Sequence, residues 1–240
     1  MLIIAHRGAS GEYPENTLLA FEQAIEQGAD GVELDVQHHP SGELLLIHDR
    51  YVNTNHGEVK HYSELSSEQI KKLSLPEKQS VVTLKQALTC IAGRCLVNIE
   101  LKCMSDNEVE ITSLLEHIRK VIGQAVNNSG FSNQQFIISS FNHSLLKHCE
   151  EIIPEVSKAA LIACNPLNVK SLTDELSLVA INPSIDCLNH SFVKRVHQLD
   201  MQVWVYTVDH TLDIEKCREL GVDAIFTNYP RKTRNYLSAI

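Results

Sequence analysis

"GVELDVQHHPSGELLLIHD" occupies residues 31–49. It holds two strand-like runs, 31–36 and 44–47, with "HHPSGE" (38–43) between them. A crossover between parallel strands needs a dozen or more residues, so the second run returns antiparallel, as a hairpin. The return carries His48 back toward the end of the first run. This reading decides the fold, because it settles how many of the chain's strand-like runs share one parallel sheet.

Nine such runs are present, at 2–5, 31–36, 44–47, 96–101, 136–139, 159–163, 178–181, 203–208 and 224–227. Helical patterns alternate with them, at 17–27, 68–73, 83–91, 107–122, 143–150, 192–199 and 213–220. Setting the hairpin return aside leaves eight strand-like runs, the number that closes a (β/α)8 barrel. The expected fold is therefore an α/β barrel of this type, with a β-hairpin after its second strand. The first helix is expected to start with Asn16 as N-cap, to bury Leu18, Phe21, Ala24 and Ile25, and to stop at Gly28. Residues 49–80 read as a small polar insertion over one face, carrying one short helix, "SSEQIKKL". No linker or internal repeat divides the chain, so residues 1–240 are expected to form a single domain.

Composition narrows the partners. Of 240 residues 43% are hydrophobic, enough for an ordinary core, and the net charge of −9 argues against nucleic acid or anionic membranes. Neither a signal-type leader nor an 18-residue apolar stretch is evident, and the seven scattered cysteines fit reduced, structural thiols in a cytoplasm. Cys90, Cys95 and Cys103 lie close together, but not at the spacing of a zinc site.

The strand ends carry the chemistry. Glu33 and Asp35 are two apart in a strand and face one side, while Val32, Leu34 and Val36 face the other. Two inward carboxylates repel unless a proton or a cation lies between them. "VNIELK" (97–102) repeats the device: Asn98, Glu100 and Lys102 share a face. Glu100 can complete a hard, oxygen-liganded cation site, for which Mg²⁺ or Ca²⁺ is better suited than zinc; an internal Glu–Lys ion pair is the alternative. His6 and His48 each end an apolar run and precede a turn-prone residue, unlike His38, His39, His56, His61 and His117, which read as polar-loop or helix-face residues. Either histidine alone could be structural. With the carboxylates, an acid–base pair is the better reading. Arg7 adds a planar donor fork for a phosphate and Gly8 allows a sharp turn, so the set points to metal-assisted phosphoryl chemistry.

"AHRGASGEYPENTLLAF" (5–21), "GADGVELDV" (28–36), "LLLIHD" (44–49), "VNIELK", "IISSF" (137–141) and "GVDAIFTNYP" (221–230) together resemble the glycerophosphodiester phosphodiesterase family, whose fold is a phospholipase-C-like TIM barrel. The resemblance implies metal ligands Glu33, Asp35 and Glu100, catalytic His6 and His48, and phosphate-binding Arg7 and Lys102. It places Glu15 and Asn16 close to the site, and Phe141 as an aromatic lining it. Three segments depart from the family pattern: "HHPSG" replaces a Thr-x-Asp-Gly turn, "YVNTNHGEV" replaces an Arg-Thr-Thr-like segment, and "YTVDH" puts Tyr206 and Asp209 where Trp and Asn are usual. The implied activity is hydrolysis of small glycerophosphodiesters to sn-glycerol 3-phosphate and an alcohol. A lysophospholipase D and a non-catalytic phosphate-binding barrel are its rivals. The first would want a basic amphipathic helix or an aromatic-rich loop, and the second would be expected to lack a histidine or a carboxylate that this chain retains.

Overall fold

Strand β1 (Leu2–Ala5) lies between β2 (Gly31–His38) and β11 (Ala224–Thr227), parallel to both, and these pairings close the sheet. Between them run β6 (Leu96–Leu101), β7 (Phe136–Ser140), β8 (Ser157–Ile162), β9 (Ala180–Pro183) and β10 (Gln202–Val205), giving the order β1-β11-β10-β9-β8-β7-β6-β2. The computed structural model describes residues 1–172 and 174–239. It is the expected eight-stranded parallel barrel. Strand β3 (Leu44–Leu46) pairs antiparallel with β2 in the register Val36↔Leu46, Gln37↔Leu45 and His38↔Leu44, so the hairpin forms as read.

Period-2 alternation sorts the core into two layers. Inside the barrel, Ile4, Ile137, Ala159, Ala180, Trp204, Ala224 and Phe226 pack together. Outside, Val32, Leu34, Val97 and Ile99 meet the helices, including α1 (Leu18–Glu26), α3 (Leu84–Ile91) and α4 (Glu108–Asn128). Phe21 of α1 is fully buried, which contributes roughly 2–3 kcal/mol.

Several boundaries differ from the sequence reading. Thr17, not Asn16, caps α1: its hydroxyl accepts from the Ala20 N–H. Asn16 stands before the cap at φ 56°, its side chain committed to Asp35. The strand expected at 178–181 is β9, two residues later, and α4 runs on to Asn128. The insertion holds its short helix α2 (Ser67–Lys71) but also a two-stranded ribbon, β4 (Tyr51–Asn53) and β5 (Val59–His61). It docks through Leu65, Ile70 and Leu73 onto Leu45 and Ile47 of the hairpin return. His39 is not a loop-face residue. It is buried, with Nδ1 on Ser41 Oγ and Nε2 on the Leu65 carbonyl, tying hairpin to insertion. The remaining helices are α5 (His143–Ile152), α6 (His190–His197), α7 (Thr211–Glu219) and α8 (Pro230–Ser238), the last not foreseen.

Candidate active site

The C-terminal ends of the strands open into a cavity of about 250 Å³. It is lined on one side by His6, Arg7, Glu33, His48, Asn98, Glu100 and Lys102, and on the other by Phe141, Leu161, Tyr206, Thr207 and Phe226. Each polar group is delivered by a strand end or a turn. After β1 the chain turns through Arg7 (φ 57°) and Gly8 (φ 81°). A Cβ on Gly8 would lie 2.7 Å from the Ala20 backbone, so only glycine fits this turn. The turn aims the Arg7 N–H at Glu33 Oε2 (2.8 Å) and the guanidinium Nε at Asp35 Oδ2 (3.2 Å). On the hairpin, Gln37 Nε2 donates to the carbonyls of Ile47 and His48, both at 3.1 Å, which fixes the backbone that presents His48.

Glu33, Asp35 and Glu100 are buried, and one oxygen from each lies within 4.8 Å of the others. Glu33 Oε1 is buried with no hydrogen-bond partner among the described residues. An orphaned carboxylate oxygen inside an all-oxygen cluster fits a hard divalent cation of the Mg²⁺ or Ca²⁺ kind. Without a cation the electrostatics are strained. Burial, then Asp35 and Glu100, push the Glu33 carboxyl well above the usual carboxylate range. Burial and Asp35 raise Glu100 too, against the pull of Lys102. Burial also works against ionised Asp35, but Lys102, Arg7 and the Asn16 amide outweigh it and hold its carboxyl low.

The two cations flank the acidic cluster. Lys102 Nζ is 2.7 Å from Glu100 and 3.2 Å from Asp35, and Arg7 also reaches Glu15 at 3.0 Å. Glu15 is half-exposed and outside the cavity lining, joined to the site through Arg7. Asn16 is buried behind the site, exchanging two hydrogen bonds with Asp35, Nδ2 to Oδ2 at 2.9 Å and the Asp35 N–H to Oδ1 at 3.1 Å. Phe141 meets Tyr206 edge-to-face with centroids 5.9 Å apart, and the Tyr206 hydroxyl donates to the Ile162 carbonyl.

The histidines differ. Burial and nearby Arg7 lower His6 to about 4, so it is neutral at pH 7. Its Nδ1 is 2.8 Å from Asn228 Oδ1. His48 is partly exposed, with Nδ1 2.8 Å from the open carboxylate of Asp49. The sequence reading brought both to the cavity but missed their partners, along with Thr207, Leu161 and Phe226. The spacing puts Asn98 on the inward face beside Glu100, where its Nδ2 donates to Ser139 Oγ and its buried Oδ1 has no hydrogen-bond partner among the described residues.

Two histidines, a cationic pair and an acidic cluster gather on one side of one small cavity, an arrangement suited to phosphoryl chemistry. The sequence matches the glycerophosphoryl diester phosphodiesterase family over residues 6–232. It is 32% identical over 242 residues to the glycerophosphodiester phosphodiesterase of Caldanaerobacter subterraneus subsp. tengcongensis, covering 98% of this chain and 96% of the relative. A glycerophosphodiester phosphodiesterase of Bacillus altitudinis is 31% identical over 246 residues, covering 95% of this chain and 94% of its own. In fold, the chain is similar to a phosphodiesterase from Oleispira antarctica in complex with the product sn-glycerol-3-phosphate (TM-score 0.86, 23% identity, 99% of this chain and 97% of the other). The chain belongs to the glycerophosphoryl diester phosphodiesterase family and is a phosphoric diester hydrolase. That family is generally dependent on a divalent metal, and the acidic cluster could hold one.

Proposed function

We propose that this enzyme hydrolyses small, water-soluble glycerophosphodiesters, such as glycerophosphocholine or glycerophosphoethanolamine, to sn-glycerol 3-phosphate and the free alcohol. The observation that carries this reading is the single cavity that holds both histidines together with Glu33, Glu100, Arg7 and Lys102. Glu33, Asp35 and Glu100 would hold a divalent cation, Mg²⁺ or Ca²⁺, which would supply Lewis-acid and charge-neutralising chemistry there. Arg7 and Lys102 bind non-bridging phosphate oxygens.

His6, neutral and with Nδ1 set against Asn228, is the general base; His48, at the cavity with Nδ1 2.8 Å from Asp49 Oδ1, is the general acid. Nε2 of His6 takes the proton of the glycerol 2-hydroxyl as its oxygen bonds to phosphorus. The bond to the alcohol oxygen breaks, and His48 protonates that oxygen. Water then opens the cyclic phosphate with the two roles exchanged. Glu15 and Asn16 hold Arg7 and Asp35 in place, while Phe141 and Tyr206 form the wall against which the alcohol or glycerol portion packs.

Residues 1–240 act as one domain, with 49–80 as an insertion within it, and a cytoplasmic location is supported by seven unpaired cysteines. No helix among the described residues is long and apolar enough to cross a membrane. One feature favours the lysophospholipase D reading: a groove of about 560 Å³ reaches Lys102 and is lined by Tyr62, Met104, Val109 and Leu114. The test is a panel of glycerophosphodiesters and lysolipids with matched headgroups, each assayed after chelation and after return of Mg²⁺ or Ca²⁺. Higher kcat/KM on the water-soluble diesters is expected; a clear preference for lysolipids transfers the assignment to the groove.

A further inference from the structure

Behind His6 lies a chain of contacts that the proposed reaction does not by itself require. Asn228, at the end of β11, places its side-chain Oδ1 2.8 Å from His6 Nδ1. Its Nδ2 lies 2.7 Å from Asp209 Oδ2, and its backbone N–H donates to Asp209 Oδ1 at 2.8 Å. The Thr227 hydroxyl donates to the same Asp209 Oδ1 at 3.0 Å, so consecutive residues at the end of β11 hold the carboxylate at both oxygens. Ser10 Oγ sits 2.8 Å from Asn228 Oδ1 and 2.6 Å from the His6 carbonyl, and its one proton serves one of these two acceptors.

The donor–acceptor logic runs in one direction. An ionised carboxylate only accepts, so the end of the Asn228 amide that faces Asp209 must be the NH₂. The other end, facing His6, is then the carbonyl oxygen, which only accepts. Nδ1 of His6 must carry the hydrogen in that contact, and the lone pair of the neutral ring is left on Nε2. An amide without a charged neighbour could turn over and put its NH₂ against Nδ1, forcing the hydrogen to Nε2 and removing the base.

We propose that Asp209 and Asn228 are positioning residues that set the tautomer of His6, with Asp209 orienting the Asn228 amide and Asn228 holding Nδ1–H. The arrangement is not a charge relay, because the Asn228 amide does not accept the proton. The kinetic part rests on the reading of His6 as a proton-transfer group; the tautomer itself can be read without turnover.

The experiment is long-range ¹H–¹⁵N correlation of histidine-labelled protein at neutral pH, with the His6 signals identified by their loss in His6→Gln. Wild type is expected to show a protonated Nδ1 and an unprotonated Nε2. In the near-isosteric Asp209→Asn, the new NH₂ faces Asn228 and turns its amide, so Nε2–H should appear and kcat should fall ~10–100-fold with KM changing far less. Asn228→Asp keeps an acceptor on Nδ1 and should retain the wild-type tautomer, whereas Asn228→Ala should lose it. An unchanged Nδ1–H signal in folded Asp209→Asn overturns the proposal. A shifted tautomer with unchanged kcat supports it and instead removes His6 from the proton-transfer step.

Discussion

The two walls of the cavity are built by the same device and do opposite things. Strands β1, β2 and β6 end in Arg7, Glu33, Asp35, Glu100 and Lys102, while β7, β8, β10 and β11 face them with Phe141, Leu161, Tyr206 and Phe226. Inward residues alternate along every barrel strand, so the last inward position of each is a free choice between charge and hydrocarbon. On the charged wall that choice is constrained by partners. Asp35 is held by Arg7, Lys102 and Asn16, Glu100 by Lys102, and one oxygen of Glu33 by a backbone N–H, leaving three carboxylates against two cations. The imbalance of one negative charge, buried, is what a cation or a proton relieves. The aromatic wall carries no such imbalance. In the reaction proposed above, bond making belongs to one wall and selectivity to the other, and substitutions should separate along that line.

The largest effect should come from the acidic cluster. Chelation, or Glu33→Gln, is expected to lower kcat/KM by ~10³-fold or more, since cation stabilisation of the transition state is worth several kcal/mol. In wild type Mg²⁺ or Ca²⁺ should restore activity and raise Tm; in Glu33→Gln the added metal should do neither. Full turnover after exhaustive chelation would break the comparison at its root. Next come the histidines. His6→Ala and His48→Ala should each lower kcat by ~10²–10⁴-fold with KM little changed, because in the proposed reaction Arg7, Lys102 and a bound cation would still hold the phosphate. The double variant should cost less than the product of the singles, as for groups that act as a unit. Steady-state kinetics with circular dichroism as a folding control decides it: a folded His48→Ala with near-normal kcat makes His48 structural.

His6 also ties the charged wall to stability. Its folded-state value of about 4 lies below the 6.5 of an unfolded chain. Above pH 6.5 the ring is neutral in both states and pH has no effect through it. Between pH 6.5 and 4 the unfolded chain takes up a proton that the folded ring refuses, so stability falls as pH falls. Below pH 4 the loss is complete and constant. Urea unfolding at pH 7 and pH 5 should therefore show wild type losing on the order of 2 kcal/mol more than His6→Gln. Equal losses would mean that the ring is not shielded as this wall requires.

How much of this was legible depended on distance along the chain. The barrel and hairpin were, because "HHPSGE" is too short for a crossover and the βα alternation is regular. The charged wall was, because spacing by two puts Glu33 with Asp35 and Glu100 with Lys102 on one face. Asn16 and Thr17 are both good cap residues, and what separated them was a buried acceptor 19 residues away, Asp35. The ribbon β4–β5 has three residues per strand, with Tyr51, Asn53 and Val59 exposed, too short for an alternation to be read. Helix α8 fully buries only Pro230 and Thr233 and half-buries Tyr236 and Leu237, a narrow stripe within the polar stretch "RKTRNYLS". Asn228 and Asp209 gain their meaning only when β11 is laid beside β1, a contact spanning 222 residues.

The smallest expected effect tests the aromatic wall. Phe141 is 44% exposed and leans edge-to-face on Tyr206, so it has apolar area to cover when a substrate fills the cavity. Removing half a phenyl ring's worth of contact costs about 1 kcal/mol, which corresponds to a rise in KM of roughly fivefold. Tyr206 keeps its own anchor, the hydroxyl bond to the Ile162 carbonyl, so the neighbouring ring should hold its place when Phe141 is truncated. Phe141→Ala is therefore expected to raise KM while leaving kcat within about twofold, since neither the proton-transfer groups nor the phosphate clamp touches it. The choice of substrate sharpens the result. If the alcohol packs on this wall, the loss should be larger for glycerophosphocholine, whose trimethylammonium group gains from an aromatic face, than for glycerophosphoglycerol, whose hydroxyls do not. An equal loss on both would assign the ring to the glycerol portion that the two substrates share. A drop in kcat with KM unchanged would mean that the aromatic wall takes part in the transition state, and the division between the walls would fail.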